Sequence, residues 1–334
     1  MTQGQIDLSV IAPLYNEEDN VALLHAAIVA AVRPLNMRSE IILVDDGSRD
    51  ETALVAARWA RQPGIRAICL SRNFGKEAAL TAGLDAASGD VVVTLDADLQ
   101  HPPELLKTFL EHWQHGADVV YAARVDRNDE SVVKRLGARW FYRLLNSGNF
   151  AASRAGDRAS DRGGGGLLVP PDAGDFRLFD RRVVDVLRSL PERNRFMRGL
   201  YAWAGFDTVA VPYVPDRRVR GHSRFGPLRL LRLSLDGLTA FTTWPLRAVS
   251  AVGFVMALLS FLYGGYLVAD YLISGNHVSG WTTIVVSLML FAGVQLISLG
   301  IVGEYVGRVF EEVKARPVYV VKQQLGSGLQ KSSS

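Results

Sequence analysis

The chain has one cysteine, Cys69, in 334 residues. No disulfide can form within it, and its folding does not depend on an oxidising compartment. No G-x-G-x-x-G follows its first apolar run and no G-x-x-x-x-G-K-[ST] occurs anywhere, which disfavours Rossmann-type dinucleotide binding and P-loop chemistry. Zinc-finger spacing and the aromatic-basic signature of RNA-binding sheets are missing, and a net charge of +3 says little about nucleic acid. No nucleic-acid partner is expected. Met1 to Asp7 is polar and the apolar run after it is short, so a signal peptide is not expected. The glycine run Gly163 to Gly166 has no strand before it and no Lys-Ser after it; it reads as loop.

The longest deficit is of charge. Between Ala248 and Gly307 there is no Lys or Arg, and the only acidic residues are Asp270 and Glu304. Ala248 to Val268 and Thr282 to Gly303 are each uncharged and each close to the ~20 residues that a helix needs to cross a hydrocarbon core. Two transmembrane helices are expected, because core helices of soluble proteins seldom stay uncharged for so long. Arg229, Arg232 and Arg247 precede the pair, Arg308, Lys314, Arg316 and Lys322 follow it, and the turn from Asp270 to Trp281 has no positive residue. The positive-inside bias then places both termini and the N-terminal part in the cytoplasm, at the inner membrane. Glu304 is costly in a near-apolar span unless it reaches the interface or pairs, and Arg308 lies one turn on. Ahead of the pair, Leu228, Leu231, Leu235 and Leu238 recur against Arg229, Arg232 and Asp236. An amphipathic helix on the membrane surface is expected over 225–246, ending near Trp244-Pro245.

The N-terminal part alternates apolar β-rich runs (Leu8 to Ala12, Ile41 to Val44, Arg66 to Leu70, Val91 to Leu95, Val119 to Tyr121) with helical stretches (Asn20 to Val32, Asp50 to Arg61, Glu77 to Ala87, Pro103 to Trp113). This is the pattern of an α/β domain with a largely parallel, Rossmann-like sheet. The expected organisation is a domain over 1–224, the surface helix, a helical hairpin over 247–308 and a cytoplasmic tail over 309–334. Ser147 to Gly166, rich in Gly, Ala, Ser, Arg and Asp without apolar period, is expected to be an insertion. Ligands of open α/β sheets bind at the carboxyl ends of the strands. That is where Asn16-Glu17-Glu18, Asp45-Asp46-Gly47-Ser48 and Asp96-Ala97-Asp98-Leu99-Gln100 fall. Each alone is explained by helix capping, from Asp19, Asn20 or Asp50, or ahead of the helix that Pro102-Pro103-Glu104 opens. Three acidic turns on one rim are harder to explain so.

If the backbone past Leu95 stays extended, Asp96, Asp98 and Gln100 share one face while Ala97 and Leu99 pack away. Two carboxylates and an amide oxygen are hard ligands suited to Mg²⁺ or Mn²⁺, with positions left for a diphosphate.

The ordered set Pro13-Leu14-Tyr15-Asn16-Glu17-Glu18, Val44-Asp45-Asp46-Gly47-Ser48, Ser71-Arg72-Asn73-Phe74-Gly75-Lys76 and Leu95 to His101 resembles the family 2 glycosyltransferases of GT-A fold. With Gly174-Asp175-Phe176-Arg177-Leu178, Arg218 through Gly221 to Ser223-Arg224, and Gly303 to Arg308, it resembles the polyisoprenyl-phosphate glycosyltransferases among them, such as dolichol-phosphate mannose synthases and undecaprenyl-phosphate glucosyltransferases. The likeness spans nearly the whole chain. It implies that Pro13, Tyr15, Glu17, Asp45, Asp46, Lys76 and Asp96 hold the nucleotide-sugar and that Asp96, Asp98 and Gln100 hold the metal. It further implies that Arg124, Arg135, Arg139, Arg218, Ser223 and Arg224 receive the acceptor phosphate, and that Asp175, Asp98, Arg124 and Arg218 serve the chemistry. Arg224 stands where relatives have lysine, which keeps charge and changes hydrogen-bond geometry. Arg139-Trp140 lacks the glutamine of the processive Gln-x-x-Arg-Trp signature, which argues for single transfer. Homo-oligomers, a tetramer among them, are expected by the same resemblance, with Pro317 to Lys322 a possible edge strand for a neighbour.

The expected reaction is inverting transfer of one sugar, UDP-glucose being the first choice of donor, to polyprenyl phosphate. GDP-mannose as donor, a polysaccharide synthase and a non-enzymatic membrane scaffold are the alternatives. A phosphate monoester with second pKa about 6 is mostly dianionic at neutral pH, so charge is the obstacle rather than deprotonation. Asp175 is then expected to orient acceptor or sugar rather than abstract a proton; as a structural alternative it caps a helix near Asp180. Arg135 and Arg139 could equally lie on a solvated helix face.

Overall fold

The computed structural model describes residues 7–124, 173–193, 195–213, 244–274 and 280–329. They divide into two compact units, one from Met1–Ser234 with Arg316–Ser334 and the other from Leu235–Ala315. In the first, β-branched runs form β1 (Asp7–Leu14), β2 (Arg38–Asp45), β3 (Ile65–Leu70), β4 (Val91–Thr94) and β5 (Val119–Arg124). Between them lie α1 (Val21–Val32), α2 (Thr52–Trp59), α3 (Lys76–Ala86) and α4 (Leu105–Gln114). These are the elements that the alternation of apolar runs leads one to expect.

The chain continues through β6 (Ala173–Asp180), α5 (Arg181–Ser189), α6 (Met197–Trp203) and β7 (Thr208–Tyr213). After the second unit, β8 (Val321–Leu325) closes the sheet. The order is β7-β5-β6-β4-β1-β2-β3-β8. Strands β4, β1, β2 and β3 are mutually parallel and β5 is parallel to β7, whereas β6 runs against β4 and β5, and β8 against β3. The sheet is therefore mixed, with its parallel part as expected and two opposed strands that no βαβ alternation announces.

On one face, Leu24 and Ile28 of α1, Ala56 of α2 and Phe109 of α4 pack on Leu8, Val10, Leu43 and Val93. Helix α3 covers the other face so closely that a Cβ on Gly83 would stand 2.3 Å from Cγ2 of Ile11. Asp180 caps α5 by accepting from Arg182 N–H at 2.9 Å, so the capping role near this point belongs to Asp180 and not to Asp175.

The residues after 315 return to this sheet. β8 pairs with β3 of its own chain, so the tail strand expected at Pro317 to Lys322 serves, in this chain, the chain's own edge. Tyr319 Oη donates to Asp85 Oδ2 at 2.7 Å and Leu329 N–H to Oε2 of Glu40 at 2.9 Å. The Glu40 side chain is fully buried and also accepts from Ser9 Oγ at 2.7 Å and Ser88 N–H at 2.8 Å. A buried carboxylate is tolerated only when its oxygens are satisfied in this way.

The second unit is a hairpin of α7 (Trp244–Ser274) and α8 (Trp281–Val313), of 31 and 33 residues. At 1.5 Å per residue each runs to about 45–50 Å, beyond the ~30 Å of a hydrocarbon core. Their windows Val249–Tyr266 and Ser287–Val313 each have mean hydropathy 1.6, and Phe254, Phe261 and Leu288 are largely exposed. Glu304 pairs with Arg308 at 3.0 Å, the partner expected one turn later. The amphipathic stretch Leu228 to Leu238 and the segment Ser147 to Gly166 lie outside the described residues.

Candidate active site

The carboxyl ends of β1 and β2 are stitched into one rim. Asn16 N–H donates to Ser48 Oγ at 2.9 Å, Arg49 N–H to Asn16 Oδ1 at 2.8 Å, and Glu17 N–H to Thr52 Oγ1 at 2.8 Å. Asn16 adopts φ +53°, a left-handed conformation that asparagine tolerates better than most residues. Pro13, Tyr15 and Glu17 stand half-buried at this rim, and Glu17 accepts from Asn20 Nδ2 at 2.6 Å.

Asp45 and Asp46 are both buried, and burial pushes both carboxyls above their ordinary range. Their partners differ. Asp45 accepts from Ser48 N–H at 3.3 Å, whereas Asp46 accepts from Phe74 N–H at 2.7 Å and Gly75 N–H at 2.9 Å. Asp46 thus clasps the turn into α3, and that turn delivers Lys76.

Lys76 meets two carboxylates that the sheet sets face to face. β4 and β6 are antiparallel with Thr94 opposite Arg177; carried two residues further, this register sets Asp96 opposite Asp175. Thr94 Oγ1 donates to the Asp175 carbonyl at 2.6 Å and fixes the approach. Two carboxylates ~5 Å apart repel by about 3 kcal/mol at an effective dielectric of ~20. The Lys76 ammonium lies between them, 2.6 Å from Asp96 Oδ1 and 2.5 Å from Asp175 Oδ2. Desolvation by itself would lower the Lys76 pKa; Asp96 and Asp175 outweigh it and hold the ammonium charged. Its side chain is still 42% exposed, so a ligand can reach it.

Two arginines that sequence reasoning missed complete the cluster. Arg198 Nε donates to Asp175 Oδ1 at 3.0 Å. Burial would raise the Asp175 carboxyl, but Lys76 and Arg198 together hold it well below the usual carboxylate range. Arg177 is buried at 3% exposure, its guanidinium 5.0 Å from the Tyr121 ring centre and 4.8 Å from that of Tyr201. Its Nε donates to the Gly174 carbonyl at 3.1 Å. The signal for Arg177 was present, because residues two apart on a strand share a face; Arg198 reaches Asp175 only through the placement of α6, which no local pattern carries.

The turn after β4 corrects the extended backbone expected there. Asp98 Oδ1 accepts from Gln100 N–H at 3.2 Å and Leu99 takes φ +54°, so the chain bends at Ala97-Asp98 and the two-residue alternation does not apply. A non-glycine residue held left-handed between Asp98 and Gln100 is local strain that the surrounding fold sustains. Asp96 and Asp98 nonetheless share a neighbourhood, since both act electrostatically on His101 and Tyr213. His101 is buried against Phe176 and Tyr213, with Nε2 at 3.9 Å from Asp96 Oδ2; burial lowers its pKa and keeps the ring neutral. Among the described residues, no group of three or more His, Cys, Asp or Glu side chains is arranged to hold a metal ion. Asp96 and Asp98, both half-buried, fit a divalent cation that takes its other oxygens from a ligand, whereas Gln100 is tied to Asp98 through its backbone N–H.

The fold therefore brings Lys76, Asp96 and Asp175 together and places Asp98 beside them. Arg124, the last residue of β5, shares the surroundings of Tyr213 with Asp96 and Asp98. Arg135, Arg139, Arg218, Ser223 and Arg224 lie outside the described residues.

Comparisons with known proteins show the family to which this chain belongs. The family model "Glycosyl transferase family 2" matches residues 9–187 and "GtrB C-terminal hairpin" matches residues 244–309. The chain is 41% identical to an uncharacterized glycosyltransferase of Synechocystis over 96% of both chains. It is 40% identical to the bactoprenol glucosyl transferase of Shigella phage SfII, over 95% of this chain and 97% of that one. A solved structure, mannosyl-3-phosphoglycerate synthase of Rubrobacter xylanophilus, is similar at 21% identity and TM-score 0.44 over 69% of this chain and 71% of that one.

Proposed function

Because this chain belongs to glycosyl transferase family 2 and carries a GtrB-type hairpin over residues 244–309, and is thus a glycosyltransferase, we propose that it transfers one glucosyl residue from UDP-glucose to polyprenyl phosphate. The reaction is placed at the cytoplasmic face of the inner membrane, anchored by α7 and α8. The naming of phage and prophage relatives as bactoprenol glucosyl transferases supports acceptor and sugar. The flanking positive residues and the uncharged turn between the spans support the orientation.

The observation that carries this reading is the shared ammonium of Lys76 between Asp96 and Asp175 at the carboxyl ends of the strands. Lys76 and Arg198 offset the charges of Asp96 and Asp175, and the Lys76 contact must shift for Asp96 to reach a metal ion on the donor diphosphate. Asp96, Asp98 and Gln100 would hold Mg²⁺ or Mn²⁺, which when bound neutralises the donor diphosphate. Pro13, Tyr15, Glu17 and Asp45 would hold the nucleotide. Arg124, Arg135, Arg139, Arg218, Ser223 and Arg224 would receive the acceptor phosphate, guanidinium being suited to bidentate pairing with it.

In the proposed step an acceptor phosphate oxygen attacks the anomeric carbon as the bond from that carbon to the donor phosphate breaks. The leaving nucleotide diphosphate keeps the electron pair, and the configuration inverts. The acceptor arrives largely dianionic, so no proton has to be removed. Asp175, held ionised by Lys76 and Arg198, accordingly orients the sugar instead of acting as a base.

The test is an assay of the purified full-length protein with short-chain polyprenyl phosphate and a panel of UDP- and GDP-sugars, read by mass spectrometry of the lipid. Glucosyl phosphoryl prenol from UDP-glucose alone is expected. A mannosyl product from GDP-mannose would replace the donor assignment, and a glycan polymer with unmodified lipid would replace the acceptor.

A further inference from the structure

One carboxyl stands just behind the cluster and has no part in the step above. Glu77 follows Lys76 in the first turn of α3, is half-buried, and its Oε2 accepts from Met197 N–H at 3.1 Å. Met197 begins α6, and Phe196 before it gives that helix no side-chain cap. The next residue, Arg198, donates to Asp175, and Asp175 accepts from Lys76. The contacts close a ring: α3 holds α6 through Glu77, α6 reaches β6 through Arg198, and β6 returns to α3 through Lys76.

We propose that Glu77 is a positioning residue of the transfer reaction, which fixes the start of α6 and thereby sets Arg198 on Asp175. The inference rests on the reading of Asp175 as the carboxylate that orients the sugar. Met197, Leu200 and Tyr201 keep α6 packed in the core, so without the hydrogen bond from Met197 N–H the loss falls on the first turn, where Arg198 sits, and a guanidinium on a loosened turn no longer keeps one position of Asp175. Displacements of about 1 Å in groups that position a substrate can cost ~100-fold in rate. The Glu77 carboxyl is engaged with Met197 N–H at the start of α6, so its loss is expected in turnover before binding.

The charged and titratable groups that face Glu77 are Lys76 on its own helix, Asp175 on β6, and Arg198 and Tyr201 on α6. Desolvation, with Asp175 adding to it, pushes the Glu77 carboxyl up to about 7 against the pull of the Met197 N–H, Lys76 and Arg198. The residue therefore changes charge in the working range, and a gain of charge strengthens it as an acceptor for Met197 N–H.

The test compares Glu77→Ala, Glu77→Gln, Arg198→Ala and Glu77→Ala with Arg198→Ala combined, in the full-length protein. Transfer by the unsubstituted enzyme and its loss in Asp175→Asn are measured first, so that failure of the proposed reaction shows there and not in the Glu77 variants. Glu77→Ala is expected to lower kcat about tenfold with the KM for nucleotide-sugar changed less than twofold. Glu77→Gln keeps an acceptor oxygen for Met197 and should retain most of kcat at pH 6. Its kcat should lack the inflection near 7, whereas the acceptor's own ionisation near 6 stays in both enzymes. Since Glu77 acts through Arg198, the double variant should be no slower than Arg198→Ala alone, within twofold. Losses that multiply in the double variant, an inflection that persists in Glu77→Gln, or a Glu77→Gln as slow as Glu77→Ala would each overturn the proposal. If Glu77→Ala does not fold, the pH profile of Glu77→Gln decides.

Discussion

Lys76 and Asp175 are 99 residues apart in the chain and 2.5 Å apart in the fold. Their contact is what allows Asp96 and Asp175 to face one another across β4 and β6. Lys76→Met should leave the two carboxylates opposed and lower kcat by about 100-fold, equivalent to ~2.7 kcal/mol of transition-state stabilisation. Steady-state kinetics checks this. Lys76→Arg should recover only part, because a planar fork cannot sit between two oxygens as a compact ammonium does.

Divalent metal is expected to be required. Chelation should abolish transfer and Mg²⁺ or Mn²⁺ should restore it. Asp98→Ala should lower kcat by about 100- to 1000-fold while the thermal midpoint falls by no more than about 4 °C, since the hydrogen bond lost from Gln100 N–H is worth about 1 kcal/mol. Unimpaired transfer by the chelated enzyme would remove the metal from the reading.

Two carboxyls of the site should tie stability to pH in opposite senses. Asp175 is held below its unfolded value of about 3.9, so its contribution is present above pH ~4 and lost as pH falls below it. Glu77 is raised to about 7. Between its unfolded value of about 4.3 and 7 the folded state binds the extra proton, so stability declines as pH rises through that window. Glu77→Gln resembles the protonated acid, and its thermal midpoint relative to the unsubstituted protein should be higher at pH 8 than at pH 5. Scanning fluorimetry at the two pH values reads the difference directly.

Gly47 lies in the rim turn at φ +64°, and a Cβ there would stand 2.3 Å from the Arg72 carbonyl carbon and 2.6 Å from Asn73 N. Both obstacles are backbone, in the turn that Asp46 clasps. Gly47→Ala should therefore cost about 3 kcal/mol or more, through a left-handed alanine and a displaced loop. A thermal midpoint within 2 °C of the unsubstituted protein would contradict it.

The parts of this fold legible in the sequence are those whose information is local. β1 to β5 and α1 to α4 show as β-branched runs alternating with helical stretches, and α7 and α8 show through their uncharged stretches, Ala248 to Val268 and Thr282 to Gly303. β6 does not, because its Arg177 is buried by stacking on Tyr121 and Tyr201 rather than by an apolar side chain. β8, Val321–Leu325, is mostly exposed, with Lys and two Gln on it, and becomes a strand only because β3 offers an edge. The same division holds in the site. Asp96, Asp98 and Asp175 carry recognisable motifs, but the bend at Leu99, the clasp by Asp46 and the reach of Arg198 depend on partners 28 to 29 and 23 residues away, respectively, for the last two.

The strand β8 is made last, after both long apolar helices, yet it pairs with β3, which leaves the ribosome among the first segments. During synthesis, the outer edge of β3 must wait for its partner until residues 244–313 have been made, and Glu40 waits for the donor that Leu329 brings. Completion of the sheet thereby depends on residues synthesised after both long helices. A fusion or truncation at the C-terminal end would accordingly be felt first at a strand some 250 residues upstream, 289 separating Glu40 from Leu329.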